Sequence, residues 1–228
     1  DGCVDMVFCC DPNHPYAEIC GTVLSPQVVL SECNTTYFGV RFLPGYNPVL
    51  GSADIMAHLV NHRIPLDDLI QDRRMLEGIW GASDFRQQIR VFMRSYMNIY
   101  RRVCPQEHQN LLVLHSSNLM IRSGGGISVE QLAEDTGYTP RYIDKCFRNE
   151  TGLSPKQLAK IVRFQTAVSA LNQNQHTGRS LTEIAADLGY FDQSHFVHDF
   201  KTYTGLTPKK YQMLLRNDAF DEKLRIVQ

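Results

Sequence analysis

The sequence lacks most of the signatures by which an enzyme announces itself. None of its seven cysteines stands in a CxxC pair, tryptophan occurs once, and no GxSxG, P-loop or GxGxxG run is present. These absences exclude zinc ribbons, dithiol oxidoreductases, nucleophile-elbow hydrolases and phosphate cradles of the common kinds. No apolar stretch approaches the roughly 20 residues that a membrane-spanning helix needs, and no charged start followed by an apolar run marks a secretory leader. With an odd number of cysteines, the expectation is a cytoplasmic chain with reduced thiols and no membrane partner. Charge of one sign is also missing: 23 Lys and Arg meet 24 Asp and Glu, for a net charge of -1. Bulk electrostatics therefore gives no sign of a nucleic-acid partner, and any such argument rests on local clustering. The chain opens without Met, at "DGCVDMVF", in what reads as the middle of a strand, which implies that further sequence precedes it.

What is present comes in two styles. Residues 1 to about 50 are rich in Val, Cys, Phe, Tyr, Gly and Pro, with apolar runs such as "CVDMVFCC", "TVLSPQVVL" and "YFGVRFLPG" broken by turn residues. That pattern predicts several short strands in a small barrel or sandwich. From about Ala53 the pattern turns helical. In "DFRQQIRVFMRSYMNIYRRV", Phe85, Ile89, Phe92, Met93, Tyr96, Ile99, Tyr100 and Val103 recur at three- and four-residue steps, on one face of a long helix that Pro105 ends. That face either covers the β domain or meets its copy in a second chain. "RSGGGIS", residues 122–128, is a turn inside the helical half.

The helical half repeats itself. "GYTPRYIDKCFRNETGLSPKQL" at 137–158 returns as "GYFDQSHFVHDFKTYTGLTPKKY" at 189–211. Ala133 aligns with Ala185, Asp135 with Asp187, Gly137 with Gly189 and Tyr138 with Tyr190; after one inserted residue, Phe147 meets Phe200 and Pro155 meets Pro208. Such a repeat is one structural unit used twice. Ser128 with Gln131, and Ser180 with Glu183, have capping-box spacing and open a short helix in each copy. The first buries Val129, Leu132 and Ala133, the second Leu181, Ile184 and Ala185, and each stops at a glycine, Gly137 or Gly189. Thr139-Pro140 restarts the first copy and Asp192 the second. The following helices carry Ile143 and Phe147, or Phe196 and Phe200, inward and end at Gly152 or Gly205. Two short helices joined by a glycine-bearing turn form a helix-turn-helix. Between the copies, Ser154-Pro155 caps a helix through "KQLAKIVRFQTAVSALN", about 18 residues and so about 27 Å long. Neighbouring major-groove segments lie about 34 Å apart on one face of a duplex, so two units on such a rod could enter successive grooves.

In these residues the sequence resembles the AraC/XylS family of bacterial transcription regulators over roughly residues 108–216. The second copy carries the signature at Gly189, Tyr190, Gln193, Ser194, Phe196, Phe200, Lys201, Gly205, Thr207, Pro208 and Tyr211, and Arg163 with Ala167 matches an Arg-x-x-x-Ala spacing in the rod. The resemblance implies DNA binding through both modules, each inserting its second helix into the major groove. The first half looks, more loosely, like a sensor domain of that family, with "YFGVRFLPG" as the recognisable stretch. Transcription regulation in the bacterial cytoplasm follows, with activation or repression left open.

Fixing the buried positions leaves the groove-facing ones by elimination: Arg141, Tyr142, Asp144 and Lys145 in the first copy, and Gln193, Ser194, His195, Val197 and His198 in the second. The matching family positions point the same way. Arg141 or Lys145 suits guanine O6 and N7, Gln193 suits adenine N6 and N7, and Val197 suits a thymine methyl. Asp144 is out of place in a groove unless it accepts from cytosine N4 or holds Lys145 or Arg148, and the second role is favoured. His198 stands where the family often has arginine. Phosphate contacts are expected from Arg148, Lys156, Lys160, Lys201, Lys209 and Lys210. Between 141 and 163, six Lys or Arg face two acids, a local charge of +4.

Other constellations weigh less. Cys3, Cys9, Cys10, Cys20 and Cys33 invite a thiol or metal sensor, but cysteine is also a favoured small core residue. His58 and His62 stand at i and i+4 without a third ligand, and His14 with Glu18 is too little for a metal site in a barrel. No catalytic residue, metal or cofactor is assigned. The expectation is an α+β chain of two domains. Residues 1–105 form a β-barrel, cupin-like, sensor or assembly domain with a helical connector, whose long helix at 85–104 is a candidate homodimer contact. Residues 106–217 form an all-α domain of two helix-turn-helix modules joined by a linker helix, and 218–228 are a tail. Double-stranded DNA is the expected partner, with RNA polymerase and a small-molecule effector as further candidates. A ligand pocket, if built, is lined by Val7, Val23, Val29, Phe38, Val40 and Phe42, which serve equally well as plain core. The competing reading is a protein-interaction scaffold, or a thiol or metal sensor, on the same fold.

Overall fold

The computed structural model describes residues 2–27, 35–49, 53–70, 73–103 and 107–216. The amino-terminal half holds all four described strands: β1 (Val4–Cys9), β2 (Tyr16–Cys20) and β3 (Tyr37–Phe42), then, after helix α1 (Ala53–Leu59), the short strand β4 (Arg63–Pro65). A 3-10 turn at Leu66–Asp68 leads to α2 (Arg74–Trp80) and the long α3 (Phe85–Val103). All pairings are antiparallel, in the order β3-β1-β2-β4, with Phe8 opposite Ala17 on one side and Phe38 on the other. Alternation sorts the side chains by face. Val4, Met6, Phe8, Ala17, Ile19 and Phe38 form a core with Met56 and Leu59 of α1, Met75, Leu76 and Ile79 of α2, and Phe92 of α3.

The opposite face is polar. Arg41 donates to both carboxylate oxygens of Asp5, at 2.9 and 2.8 Å, and Arg63 donates to Glu18 at 2.8 Å. This alternation is the physical reason that the expected cupin-like barrel is not formed among the described residues. A barrel turns one face of every strand into a common interior. Here a single apolar face is covered by helices, and β3 and β4 remain outer strands. Two strands escape a sequence reading: β2, whose "YAEIC" is half polar, and β4, three residues long within a stretch that reads as helical. The 22–27 part of "TVLSPQVVL" is not a strand, and the rest lies outside the described residues.

The described residues of the carboxy-terminal half form helices only: α4 (Glu107–Arg122), α5 (Val129–Thr136), α6 (Pro140–Thr151), α7 (Pro155–Thr177), α8 (Leu181–Asp187), α9 (Gln193–Thr204) and α10 (Pro208–Arg216). Two further cores serve them. One joins Leu112, Val113 and Met120 of α4 to Leu132, Ile143, Phe147, Leu158 and Val162. The other joins Ala167 and Leu171 of α7 to Ile184, Tyr190, Phe196, Phe200 and Tyr211. No helix among the described residues is long and apolar enough to cross a membrane.

Helix α1 ties the halves together, because it packs on α6. Gly152, the left-handed C-cap of α6 with φ 71°, lies so close to α1 that an added methyl would strike the Met56 carbonyl and the Val60 side chain. Val60 and Leu24 also pack on the core that α4 to α7 share. Glu150 of α6 is half-buried at the same seam, and its carboxyl is pushed up by burial against the smaller, opposing effect of a hydrogen bond with Asn47.

Two measurements test the seam. Gly137 has the same left-handed torsion as Gly152 but open space around its Cα. Gly137→Ala is expected to cost about 1 kcal/mol from torsion alone, and Gly152→Ala about 2–4 kcal/mol because overpacking is added; urea unfolding of the two variants checks the difference. A carboxyl raised in the folded state loses stability as pH rises through its folded value. Glu150→Gln should therefore raise the melting temperature at pH 7, and the gain should fade as pH falls through the raised value toward the ordinary glutamate value of 4.5, below which both states hold the proton.

Candidate nucleic-acid interface

Each half-repeat is built by the same local chemistry. Ser128 accepts from the Gln131 amide while its own amide donates to Gln131 Oε1 at 2.8 Å, and Ser180 with Glu183 repeats the arrangement at 2.7 Å. These boxes start α5 and α8. Gly137 and Gly189 follow the two helices with φ 73° and 72°, angles a side chain at Cβ opposes. The chain then re-enters helix on Thr139, which accepts from the Tyr142 amide with Pro140 at the first position, and on Asp192, which accepts from the His195 amide at 2.7 Å.

The resulting α6 and α9 bury one side and free the other. Ile143, Cys146 and Phe147 of α6, and Phe196, Asp199 and Phe200 of α9, face inward. Arg141, Lys145 and Arg148 are exposed on α6, with Tyr142 half-buried and stacked on Tyr138 at 5.1 Å between centroids. Arg141, Tyr142, Asp144, Lys145 and Arg148 line one surface depression of about 520 Å³. Asp144 accepts from Arg148 Nε at 2.7 Å, one helical turn on, so its charge is spent within the helix. Gln193, Ser194, His195 and His198 are exposed at α9, and Val197 is half-buried beside them. Thr182 of α8 donates to Gln193 Oε1 at 2.8 Å, which steadies the amide and leaves its NH₂ free to donate.

Of the expected phosphate contacts, Lys156, Lys201, Lys209 and Lys210 are exposed near helix starts or ends. Lys160 is different: its Nζ stands 3.8 Å from Asp199 Oδ1, a carboxylate buried on the inner side of α9 and also 3.7 Å from His195 Nε2. The sequence held a signal for this, a charged residue between Phe196 and Phe200 on an inward face. Phe191 was missed too. It sits in the turn before α9, two residues before Gln193, and its ring is 94% exposed.

The rod is longer than the expected 18 residues. Helix α7 runs 23 residues, about 35 Å, because its Asn and Gln tail does not break it. It stops at Gly178, φ 66°, where Asn174 donates to the Arg179 carbonyl at 2.8 Å and accepts the Arg179 amide at 2.7 Å. At mid-length, Arg163 donates to the Gly125 carbonyl at 2.9 Å and lies 5.4 Å from the centroid of the Tyr190 ring. Burial raises the Tyr190 phenol to about 12.

The pocket residues do not converge. Phe38 is in the first core, with Val40 and Phe42 packed against it; Val7 points to the opposite face of the sheet, between Glu18 and Gly39; Val23 lies past the end of β2, and Val29 lies outside the described residues. His58 is exposed near the end of α1, whereas His62 lies beyond it, after Asn61 turns left-handed at φ 63°. No group of three or more His, Cys, Asp or Glu that could hold a metal occurs among the described residues. The Cys3, Cys10 and Cys146 thiols are pushed up by burial, and Cys20 to about 12, which disfavours the thiolate that redox sensing requires.

Residues 106–213 match a family model described as a helix-turn-helix domain. The chain is 27% identical over 103 residues to the HTH-type transcriptional activator AarP of Providencia stuartii, covering 45% of this chain and 71% of AarP. It is 34% identical over 84 residues to an uncharacterized HTH-type transcriptional regulator of Haemophilus influenzae, covering 37% of this chain but 27% of that protein's length. Among solved structures, ToxT of Vibrio cholerae aligns over 93% of this chain and 89% of its own with a TM-score of 0.45 at 12% identity.

Proposed function

We propose that this chain, whose residues 106–213 form a helix-turn-helix domain of the AraC/XylS type, is a sequence-specific DNA-binding transcription regulator. The observation that carries the reading is the pair of capped recognition helices, α6 and α9, each with its amino-terminal half exposed and furnished for base edges. On α6 the readers are Arg141, Tyr142 and Lys145, and on α9 Gln193, Ser194, His195, Val197 and His198. Arg148, Lys156, Lys201, Lys209 and Lys210 supply phosphate contacts around them, while Lys160 divides its charge with Asp199. Residues 106–217 act as the DNA-binding domain and 1–105 as the sensing domain. A small molecule or partner received by the sheet domain acts on the first module through α1, which already rests on Gly152.

A second copy docks along α3. Phe85, Ile89, Met93, Met97 and Tyr100 are large apolar residues that α3 leaves exposed while Phe92 and Tyr96 pack on the sheet. Arg86, Arg90 and Arg94 rim that stripe, and α3 contains no acidic residue.

The competing scaffold reading separates from DNA binding by salt. Affinity for a duplex should fall steeply and log-linearly with salt as counterions are released, and a flat response would favour the scaffold. In fluorescence anisotropy, Arg141→Ala should cost about 1–3 kcal/mol at one base position, while Lys209→Ala should weaken every sequence alike and lower the salt slope by about 1. Self-association should move the opposite way: screening the arginines strengthens it. Sedimentation should show more dimer at higher salt, and an Ile89→Ala, Met93→Ala double variant should remain monomeric.

A further inference from the structure

The two modules read DNA together only if their rotation about the rod is fixed, and one side chain reaches both of the turns that introduce them. Arg163 leaves the middle of α7 and donates through Nη2 to the Gly125 carbonyl at 2.9 Å, in the turn that leads into α5. Its guanidinium carbon lies 5.4 Å from the centroid of Tyr190, in the turn that leads into α9. A planar guanidinium can do both at once, donating in its plane while presenting its face to a ring.

Both contacts are seated. Gly125 has φ 79°, and a methyl there would collide with the Ala159 carbonyl and the Arg163 amide, so the turn rests directly on the rod. Tyr190 is buried and touches the start of α9, tilted against Phe196 at 5.2 Å and edge-on to His195 at 5.3 Å. Arg163 Nε, by contrast, is buried without a hydrogen-bond partner among the described residues. A buried donor left unmade is costly, so the side chain is held by geometry and not by full satisfaction of its polar atoms. At the same turn of α7, Lys160 approaches Asp199, and Phe164 stacks on Tyr203 at 4.8 Å. These contacts fasten α9 to the rod; Arg163 adds the link across to the turn before α5.

We propose that Arg163 is a positioning residue that sets the rotational phase between α6 and α9, and so the half-site spacing that the chain accepts. The inference rests on the DNA-binding reading. One inserted base pair turns a half-site by about 35° about the duplex axis, so a rigid pair of readers tolerates it poorly and a loosened pair tolerates it better.

The test uses the whole chain and a duplex selected from a random-sequence library with the wild-type protein. The interval between half-sites is then shortened or lengthened by one or two base pairs, and affinity is measured by anisotropy. The wild type should lose about tenfold or more for a single inserted base pair, the scale of losing base contacts in one half-site. Arg163→Met should bind the best duplex more weakly but flatten that dependence to about threefold or less, and Arg163→Lys, which can still donate to Gly125, should restore most of the steepness. Leu171→Ala, which opens the core beneath the second module, should weaken all spacings by one common factor and leave the profile unchanged. If Arg163→Met gives no cooperative melt, Tyr190→Leu carries the test from the other contact and should flatten the profile likewise. A profile for Arg163→Met or Tyr190→Leu that runs parallel to wild type overturns the inference while leaving DNA binding intact. Absence of wild-type binding to any duplex at low salt overturns the DNA reading itself, and the inference with it.

Discussion

The carboxy-terminal half depends on one uninterrupted helix. Helix α7 is sealed at its start by Ser154 and Gln157, and at its end by Gly178 and the side chain of Asn174. Its first turns give Leu158, Ile161 and Val162 to one core, and its later turns give Ala167 and Leu171 to another. Neither module closes without it. The orientation of one recognition helix relative to the other is therefore a property of this helix and of the few side chains that brace it from both sides.

Much of the reading half was legible in the sequence because its instructions are local. A capping serine with Gln or Glu three residues on, a glycine where φ turns positive, and Thr-Pro or Asp at a helix start each act within four residues of chain. Periodicity then fixed which positions are inward, and elimination left the exposed ones. What was not legible depends on partners distant in sequence. That Arg163 meets Gly125, 38 residues away, or that Lys160 leans toward Asp199, has no periodic trace. The full length of α7 escaped for the opposite reason: Asn is a weak helix former, and Asn174 is held at the helix end by its bonds to Arg179, beyond it.

The amino-terminal half was read correctly as short strands followed by helices, and wrongly as a closed barrel. Alternating apolar residues are compatible with either architecture; the second set of residues distinguishes them. Asp5, Glu18, Arg41 and Arg63 pair across the outer face. Ion pairs between partly exposed groups add little stability, but charges on that face oppose its becoming an interior. β4 was invisible because three residues carry no period, and it exists because β2 offers an edge.

The two copies of the repeat are also unequally supported. The first leans on both α7 and α1, with Gly152 wedged against Met56, whereas the second has α7 and α10 behind it and no comparable contact with α1 among the described elements. Closely related sequences thus sit in neighbourhoods of different cohesion. Amide protons of α8 and α9 are the ones to exchange with solvent through the smaller opening, so that the latter copy breathes as a separate cooperative unit while the former opens only along with its surroundings.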